Sequence, residues 1–315
     1  MRLVLLLLPG MTASVFGLRP EVGYRAVPSD YGIVFEDITF ETSDGLLLRG
    51  WFFPAQDTTG IASELVGRVI PVPDDLKPPS EQYIPGEYGP APTIVICPGD
   101  AGNMTYSILY AYEFFTRGFN VFTFDWRGFG ESDSWPMDPD RLVYSEFLAD
   151  YEAALDYVLS RPDVDTSGVG LLGFSTGAYL SFAMAAERND VAALAVRATI
   201  TTFEDLSPIL ARLDPDRAWN FPQDYPEELL PANAAARVTI PVLLVVGEHD
   251  ERTPPWMSRE VYDSLPGPGE LWVVPGAGHG GGEAPELVAY DEFFEKVRAF
   301  FKRRLKDSEG PGTPG

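Results

Sequence analysis

The apolar positions of this chain change their spacing as it runs. Residues 34–40 (VFEDITF) and 46–53 (LLLRGWFF) are rich in β-branched and aromatic side chains, with Ser43-Asp44-Gly45 between them. An Asp-Gly step between two such runs predicts an antiparallel hairpin. A Pro-rich stretch from Pro54 to Pro92 reads as a long irregular insertion holding one short strand at 67–70. From Thr93 onward, short continuous apolar runs alternate with longer segments of helical period. The runs are 93–97 (TIVIC), 120–124 (NVFTF), 169–174 (VGLLGF), 194–201, 242–246 (VLLVV) and 270–274. Runs of this kind predict strands buried on both faces.

Helices are predicted between those strands. One covers 104–117. Another covers 141–159, where Leu148, Tyr151, Leu155, Val158 and Leu159 recur at helical spacing. Residues 178–186 (AYLSFAMAA) are apolar almost all round, as a helix in the protein's middle would be. The last helix gathers Leu287, Tyr290, Phe293, Phe294, Val297, Phe300 and Phe301 on one face, with Glu295, Lys296, Arg298 and Arg303 elsewhere. Strands alternating with helices give a mostly parallel sheet covered on both faces. No linker interrupts the repeats, so one α/β domain is expected over 31–306. The polar Gly/Pro tail at 307–315 is expected to be disordered.

Residues 1–30 read as a leader. The run LVLLLL at 3–8 is far shorter than the ~20 residues that span a bilayer. With Arg2 before it and small residues at 12–14, it fits a secretory signal or the remnant of an anchor, which would allow membrane association. The plainer readings are an apolar segment packed on the domain, or a misassigned start. A cytoplasmic protein is favoured over a secreted or membrane-proximal one.

Charge removes one class of function. The 47 Asp and Glu against 23 Lys and Arg leave −24, which repels phosphate backbones and disfavours nucleic acid as a partner. The one cysteine, Cys97, excludes a disulfide framework and a multi-cysteine zinc site. No metal or organic cofactor is implied. There are two histidines, His249 and His279, so histidine chemistry rests on one of them.

Residues 173–177 read Gly-Phe-Ser-Thr-Gly, between an apolar strand and an apolar helix. That setting makes G-x-S-x-G a nucleophile elbow. Gly173 and Gly177 leave room where a Cβ would strike backbone, and Ser175 stands at a helix N-terminus that favours negative charge. The plain alternative is a serine that only caps the helix. A serine hydroxyl needs a base, and the base needs a carboxylate to orient it, in the chain order Ser, acid, His. His279, in the loop after the last strand, is the candidate base. Asp250, after the strand at 242–246, is the candidate acid, with Glu248 and Glu251 as competitors. His249 reads as a loop residue making a local bond. A tetrahedral intermediate needs two donors. One is the backbone N–H of Thr176. The other comes from the loop 98–103, where Pro98 has no N–H, leaving Asp100 or, second, Gly99. The Asp100 carboxylate should then point away from the site.

Taken together these residues resemble the α/β-hydrolase superfamily and, within it, the Bem46-like serine hydrolases, over about Tyr31 to Lys302. Residues 98–103 (PGDAGN) stand where that group has HGNAGN. Residues 124–132 (FDWRGFGES) are similar to its FDYRGFGKS, and GFSTG, GEHD with Pro254, and PGAGH follow in order. Pro98 and Asp100 depart from the group's usual His and Asn. The resemblance implies an α/β-hydrolase fold: a mostly parallel eight-stranded sheet with an antiparallel N-terminal hairpin, helices on both faces and a small cap. It supports Ser175, Asp250 and His279 as a triad, with Asp100 and Thr176 as amide donors. It also implies that the insertion 54–92 lies away from the triad and that the cap is 202–239. In that cap, Leu206, Ile209, Leu210, Leu213, Trp219 and Phe221 are pocket wall or core. Trp126 and Tyr106 are further candidates for pocket lining, with aromatic core as the default. The expected activity is hydrolysis of carboxylic esters of small or medium acyl substrates through an acyl-enzyme. A thioesterase, peptidase or acyltransferase would use the same three side chains, and a non-catalytic binding or scaffold member is the remaining alternative. A serine rather than an aspartate at the elbow argues against a dehalogenase.

Overall fold

The computed structural model describes residues 17–56, 61 and 90–305. Most of the leader, the predicted strand at 67–70 and the tail at 307–315 lie outside the described residues.

Strands β1 (Glu36–Glu41) and β2 (Leu47–Phe53) form the expected hairpin. Its turn is longer than a two-residue one. The N–H of Thr42 donates to the carbonyl of Leu46, and Gly45 takes the left-handed conformation (φ +87°) that a side chain would resist. The remaining strands are β3 (Ala91–Cys97), β4 (Asn120–Phe124), β5 (Val164–Phe174), β6 (Ala193–Arg197), β7 (Val242–Gly247) and β8 (Gly269–Val274). They lie in the order β8-β7-β6-β5-β3-β4-β2-β1. Only β2 runs against its neighbours; every other pairing is parallel. This is the mostly parallel eight-stranded sheet that the resemblance implied.

Alternation along the central strands sorts the core into two layers. Val95, Cys97, Leu171 and Leu244 face one layer. Ile94, Ile96, Leu172 and Leu243 face the other. Helices α2 (Phe147–Leu159), α3 (Thr176–Glu187), α4 (Phe203–Leu213) and α5 (Pro255–Asp263) cover the first layer. Helices α1 (Ile108–Phe115) and α6 (Tyr290–Leu305) cover the second. Cys97 is fully buried in β3, where loss of hydration pushes its thiol up to about 12 and keeps it unreactive.

Several boundaries differ from the pattern, each for a local reason. The helix expected at 104–117 opens as a 3₁₀ turn (Met104–Ser107) before α1. The helix expected from Arg141 begins at Phe147, because Arg141 makes tertiary backbone contacts: it bridges Asn220, and its carbonyl accepts from Leu18 N–H. Strand β6 ends at Arg197 because Ala198 turns left-handed (φ +61°). Leu287 sits on a separate short turn, Pro285–Val288, ahead of α6. Trp126 is core, packed on Phe129 and Phe147 rather than lining a pocket.

Both ends of the stretch between β2 and β3 emerge at the amino edge of the parallel strands. Phe53 pairs with Val121, and Ala91 with Val164. At the opposite, carboxyl edge the chain from Gly17 is bound into the domain. Leu18 is buried, Arg19–Pro20 pairs in parallel with Ala101–Gly102, and Arg19 N–H donates to the carbonyl of Asp100 at 2.8 Å. The buried Asn103 side chain donates to the carbonyls of Glu21 (3.1 Å) and Gly23 (2.6 Å), and accepts from Thr105 N–H. Asp125, one residue past β4, completes the clasp by accepting from Met104 N–H (2.7 Å) and Tyr24 O–H (2.9 Å). The loop 98–103 is therefore held from both sides.

Residues 125–130 explain themselves through two buried charges. Arg127 is fully buried. It pairs with the equally buried Asp150 of α2 at 2.7 Å and with Asp44 of the hairpin turn at 2.7 Å. It thus fastens α2 and the hairpin to the end of β4. Burial pushes the Asp150 carboxyl up to about 6 despite the guanidinium. We expect Arg127→Met to cost about 3–5 kcal/mol, because it strands a buried carboxylate; urea denaturation measures it, and an unchanged midpoint would remove the pair from the account. Burial likewise raises Asp125 to about 7, only partly offset by the bonds from Tyr24 and Met104. A folded-state value above the unfolded one gives stability that is full below the unfolded value and is lost as pH rises through about 7. Asp125→Asn lacks that loss. Its stability relative to the natural chain should therefore rise by roughly 2–4 kcal/mol between about pH 4 and pH 8; parallel urea curves at the two ends would refute it by keeping a constant difference.

Candidate active site

The site grows from one tight contact. A Cβ on Gly177 would lie 2.3 Å from the carbonyl oxygens of both Cys97 and Pro98, so the first turn of α3 rests directly on the end of β3. A Cβ on Gly173 would meet the Gly177 carbonyl at 2.7 Å and Ala178 Cα at 2.8 Å. The chain must reverse between these glycines within one residue. Ser175 does so at φ +51°, ψ −115°, a conformation that costs of order 1–3 kcal/mol for a residue with a side chain. Its amide is fixed by donating to the Arg197 carbonyl (2.9 Å). Its hydroxyl makes no cap to the helix, which removes the plain reading of this serine.

The hydroxyl instead meets His279: Oγ is 3.1 Å from Nε2. On the other side of the ring, Nδ1 lies 2.9 and 3.0 Å from the two oxygens of Asp250. The structure thus brings Ser175, His279 and Asp250 together from three separate loops. A carboxylate facing Nδ1 puts the ring proton on that nitrogen and leaves the Nε2 lone pair toward the serine. Asp250 is 2 % exposed. Burial opposes its charge, but the pairing with His279 and the bonds from His279 and Thr253 prevail and hold it below the usual carboxylate range. The competitors are elsewhere. Glu248 is exposed and accepts from Gly276 N–H, and Glu251 is exposed. His249 is also exposed, its amide donating to the Ala277 carbonyl.

The loop 98–103 runs beside the elbow. A Cβ on Gly99 would stand 3.6 Å from Ser175 Cβ. Thr176 opens α3, so its amide is among those a helix leaves without an internal partner. The Asp100 carboxylate is occupied by Arg252: Nη2 donates to Oδ2 at 2.5 Å, and both side chains are about nine-tenths buried.

Arg252 and Thr253 were not picked out from the sequence. Thr253 gives Asp250 a backbone N–H (2.8 Å) and its hydroxyl (2.9 Å), and Arg252 N–H adds a third bond at 3.0 Å. An Asp followed three residues later by Thr is a local signal for such a turn. For Arg252 the signal was indirect: a buried acid at position 100 calls for a cation.

In the segment 202–239, expected as a cap, Leu206 and Leu210 belong to the core, while Ile209, Leu213, Trp219 and Phe221 are partly buried against it. Phe203 stacks on Phe221 at 4.8 Å and meets Tyr225 and the α3 residue Tyr179 edge-on. Tyr106, the other residue considered for pocket lining, donates through its hydroxyl to the Glu21 carboxylate. Among the described residues no helix is long and apolar enough to cross a membrane, and no group of three or more His, Cys, Asp or Glu side chains is arranged to hold a metal ion.

Comparison with known proteins agrees with this architecture. An uncharacterized protein of Mycobacterium tuberculosis is 27% identical over 270 residues, covering 84% of this chain and 78% of its own. The protein bem46 of Schizosaccharomyces pombe is 27% identical over 174 residues, 52% of this chain and 53% of its own. Among solved structures, the Pyrococcus furiosus esterase Pf2001 superposes with a TM-score of 0.67 at 17% identity, covering 91% of this chain and 99% of that one. The family model for prolyl oligopeptidases matches residues 105–308. That span carries the strained serine turn, the Asp250 turn and the glycine loop of His279, and the chain belongs to the prolyl oligopeptidase family of α/β hydrolases.

Proposed function

We propose that this protein is a serine hydrolase cleaving carboxylic ester bonds of small or medium acyl substrates through an acyl-enzyme. The observation that carries the reading is the unbroken relay Ser175 Oγ–His279 Nε2 (3.1 Å) and His279 Nδ1–Asp250 Oδ2 (2.9 Å). Ser175 Oγ attacks the acyl carbon as its proton passes to Nε2 of His279. Asp250, kept ionised, steadies the imidazolium that forms. The oxyanion is received by the amides of Thr176 and Asp100. His279 then protonates the departing alcohol, and a water molecule activated by the same nitrogen hydrolyses the acyl-serine. The cap of under 40 residues supports small or medium acyl groups over a deep lipid tunnel. The family's name supports a second reading, amide cleavage by the same three groups.

Asp100 fits its role only with Arg252 beside it. A free carboxylate next to a developing oxyanion would raise the barrier; a guanidinium at 2.5 Å cancels that charge and turns the side chain aside.

A fluorophosphonate should label the natural chain on Ser175, and Ser175→Ala should abolish labelling and lower kcat by at least about 10⁴-fold. A natural chain that stays unlabelled would sink the reading. Rates on p-nitrophenyl esters of rising chain length, set against aminoacyl p-nitroanilides, separate ester from amide preference; faster turnover of the anilides would favour the second reading. Arg252→Met should lower kcat by about 10²–10³-fold, and adding Asp100→Asn should recover most of the loss. A double variant no faster than the single one would show that the pair does not act through charge.

A further inference from the structure

His279 stands in a loop that has little stiffness of its own. Five of the seven residues from 276 to 282 are glycine, and each glycine has more backbone freedom to lose than any other residue. A base must nevertheless be held within about 0.5 Å of its productive position. Asp250 holds the imidazole through Nδ1, and a second side chain restrains the backbone of the histidine. Arg197, the last residue of β6, donates through Nη1 to the backbone carbonyl of His279. The same residue fixes the nucleophile, because its backbone carbonyl accepts the Ser175 amide at 2.9 Å. Its guanidinium also lies over the ring of Phe174, the residue before the serine, at 5.2 Å.

Burial, an ion pair and a ring contact place this arginine. Arg197 and Glu286 are 8% and 4% exposed. Nε and Glu286 Oε2 form an ion pair at 3.1 Å without hydrogen-bond alignment, and Glu286 Oε1 accepts from Tyr110 O–H at 2.9 Å. Tyr110 in turn packs edge-on against Phe174 at 5.0 Å. The carboxylate also offsets a positive charge that would otherwise oppose an imidazolium nearby. The next residue, Ala198, keeps a left-handed conformation (φ +61°) that a residue with a Cβ adopts at a cost, ending the strand there while its amide bonds the Val245 carbonyl at 2.9 Å.

We infer that Arg197 is a positioning residue that ties the serine turn and the histidine loop into one frame, its backbone gripping Ser175 and its guanidinium gripping His279. This rests on the hydrolase reading above. It assigns Arg197 no contact with substrate: the residue sets the distance between the two groups that exchange the proton.

The test compares Arg197→Met, Arg197→Lys and Glu286→Gln with the natural chain. Three quantities are measured: steady-state constants on a p-nitrophenyl ester, the rate of fluorophosphonate labelling, and backbone hydrogen exchange by mass spectrometry. Arg197→Met should lower kcat and the labelling rate together by about 10–100-fold, as a displacement of about 1 Å would, with KM changed less than about twofold. Exchange should quicken over 276–282 while the central strands keep their protection. Arg197→Lys should recover part of the rate. Glu286→Gln should show the same split, more weakly; it keeps the arginine and serves if Arg197→Met does not fold. Labelling and exchange at natural rates in both Arg197→Met and Glu286→Gln would overturn the inference, as would a loss confined to KM. If the natural chain itself fails to label, the hydrolase reading falls, and the exchange comparison still decides whether Arg197 restrains the loop.

Discussion

The contact on which the site depends is the seating of α3 on the end of β3. Gly177 lets the helix approach until two carbonyls occupy the space of a side chain. The helix is held there by burial: residues 176–185 are all buried, and Leu180, Ala183 and Met184 join the larger core layer. At about 25 cal/mol per Å² of apolar surface, that burial outweighs the few kcal/mol of strain at Ser175. The strained turn is therefore a consequence of packing. With the turn fixed, the serine hydroxyl can only project above the carboxyl edge, where the loops after β3, β7 and β8 also end.

At that edge a strongly acidic chain must manage its own charge. Asp100, Glu286 and Asp150 are all buried. Each is met by an arginine: Arg252, Arg197 and Arg127 respectively. A fourth buried arginine, Arg161, pairs with Asp163 and Glu36 at the far end of the sheet. The planar, weakly hydrated guanidinium suits such places better than an ammonium, because it meets two partners at once and stacks on a ring. Arg127 over Trp135 and Arg197 over Phe174 do both. Buried pairs of this kind contribute little net stability against apolar replacements. What they supply is fixed direction between segments distant in sequence.

This explains which features could be read from the chain. Continuous apolar runs marked β4 and β7 to within a residue, because burial on both faces leaves one composition open to a strand. Ser175 was legible because the elbow's glycines and flanking elements lie within a few residues of it. His279 was legible partly by scarcity, since one other histidine competed. Arg197 and Arg252 carry no local signature. Their partners lie 82 and 152 residues away, and only the folded sheet brings them near. The clasp formed by residues 19–24 was hidden for a similar reason: short and nearly without regular structure, it is held by Asn103 and Asp125 rather than by any pattern of its own.

The pairing of Asp100 with Arg252 shows how such distant partners constrain one another. An asparagine at 100 would offer the same backbone amide with no charge to offset. On the proposed mechanism, an aspartate without Arg252 would set a negative group beside the developing oxyanion. With the pair intact, the carboxylate is drawn toward the 250–253 turn, and that turn also carries the acid facing His279. The loop behind the serine and the turn behind the histidine are thereby joined across the sheet by one short bond. Tolerance of aspartate at 100 is then a property of the two loops together, and neither loop can shift alone without exposing a buried charge to an unpaired neighbour.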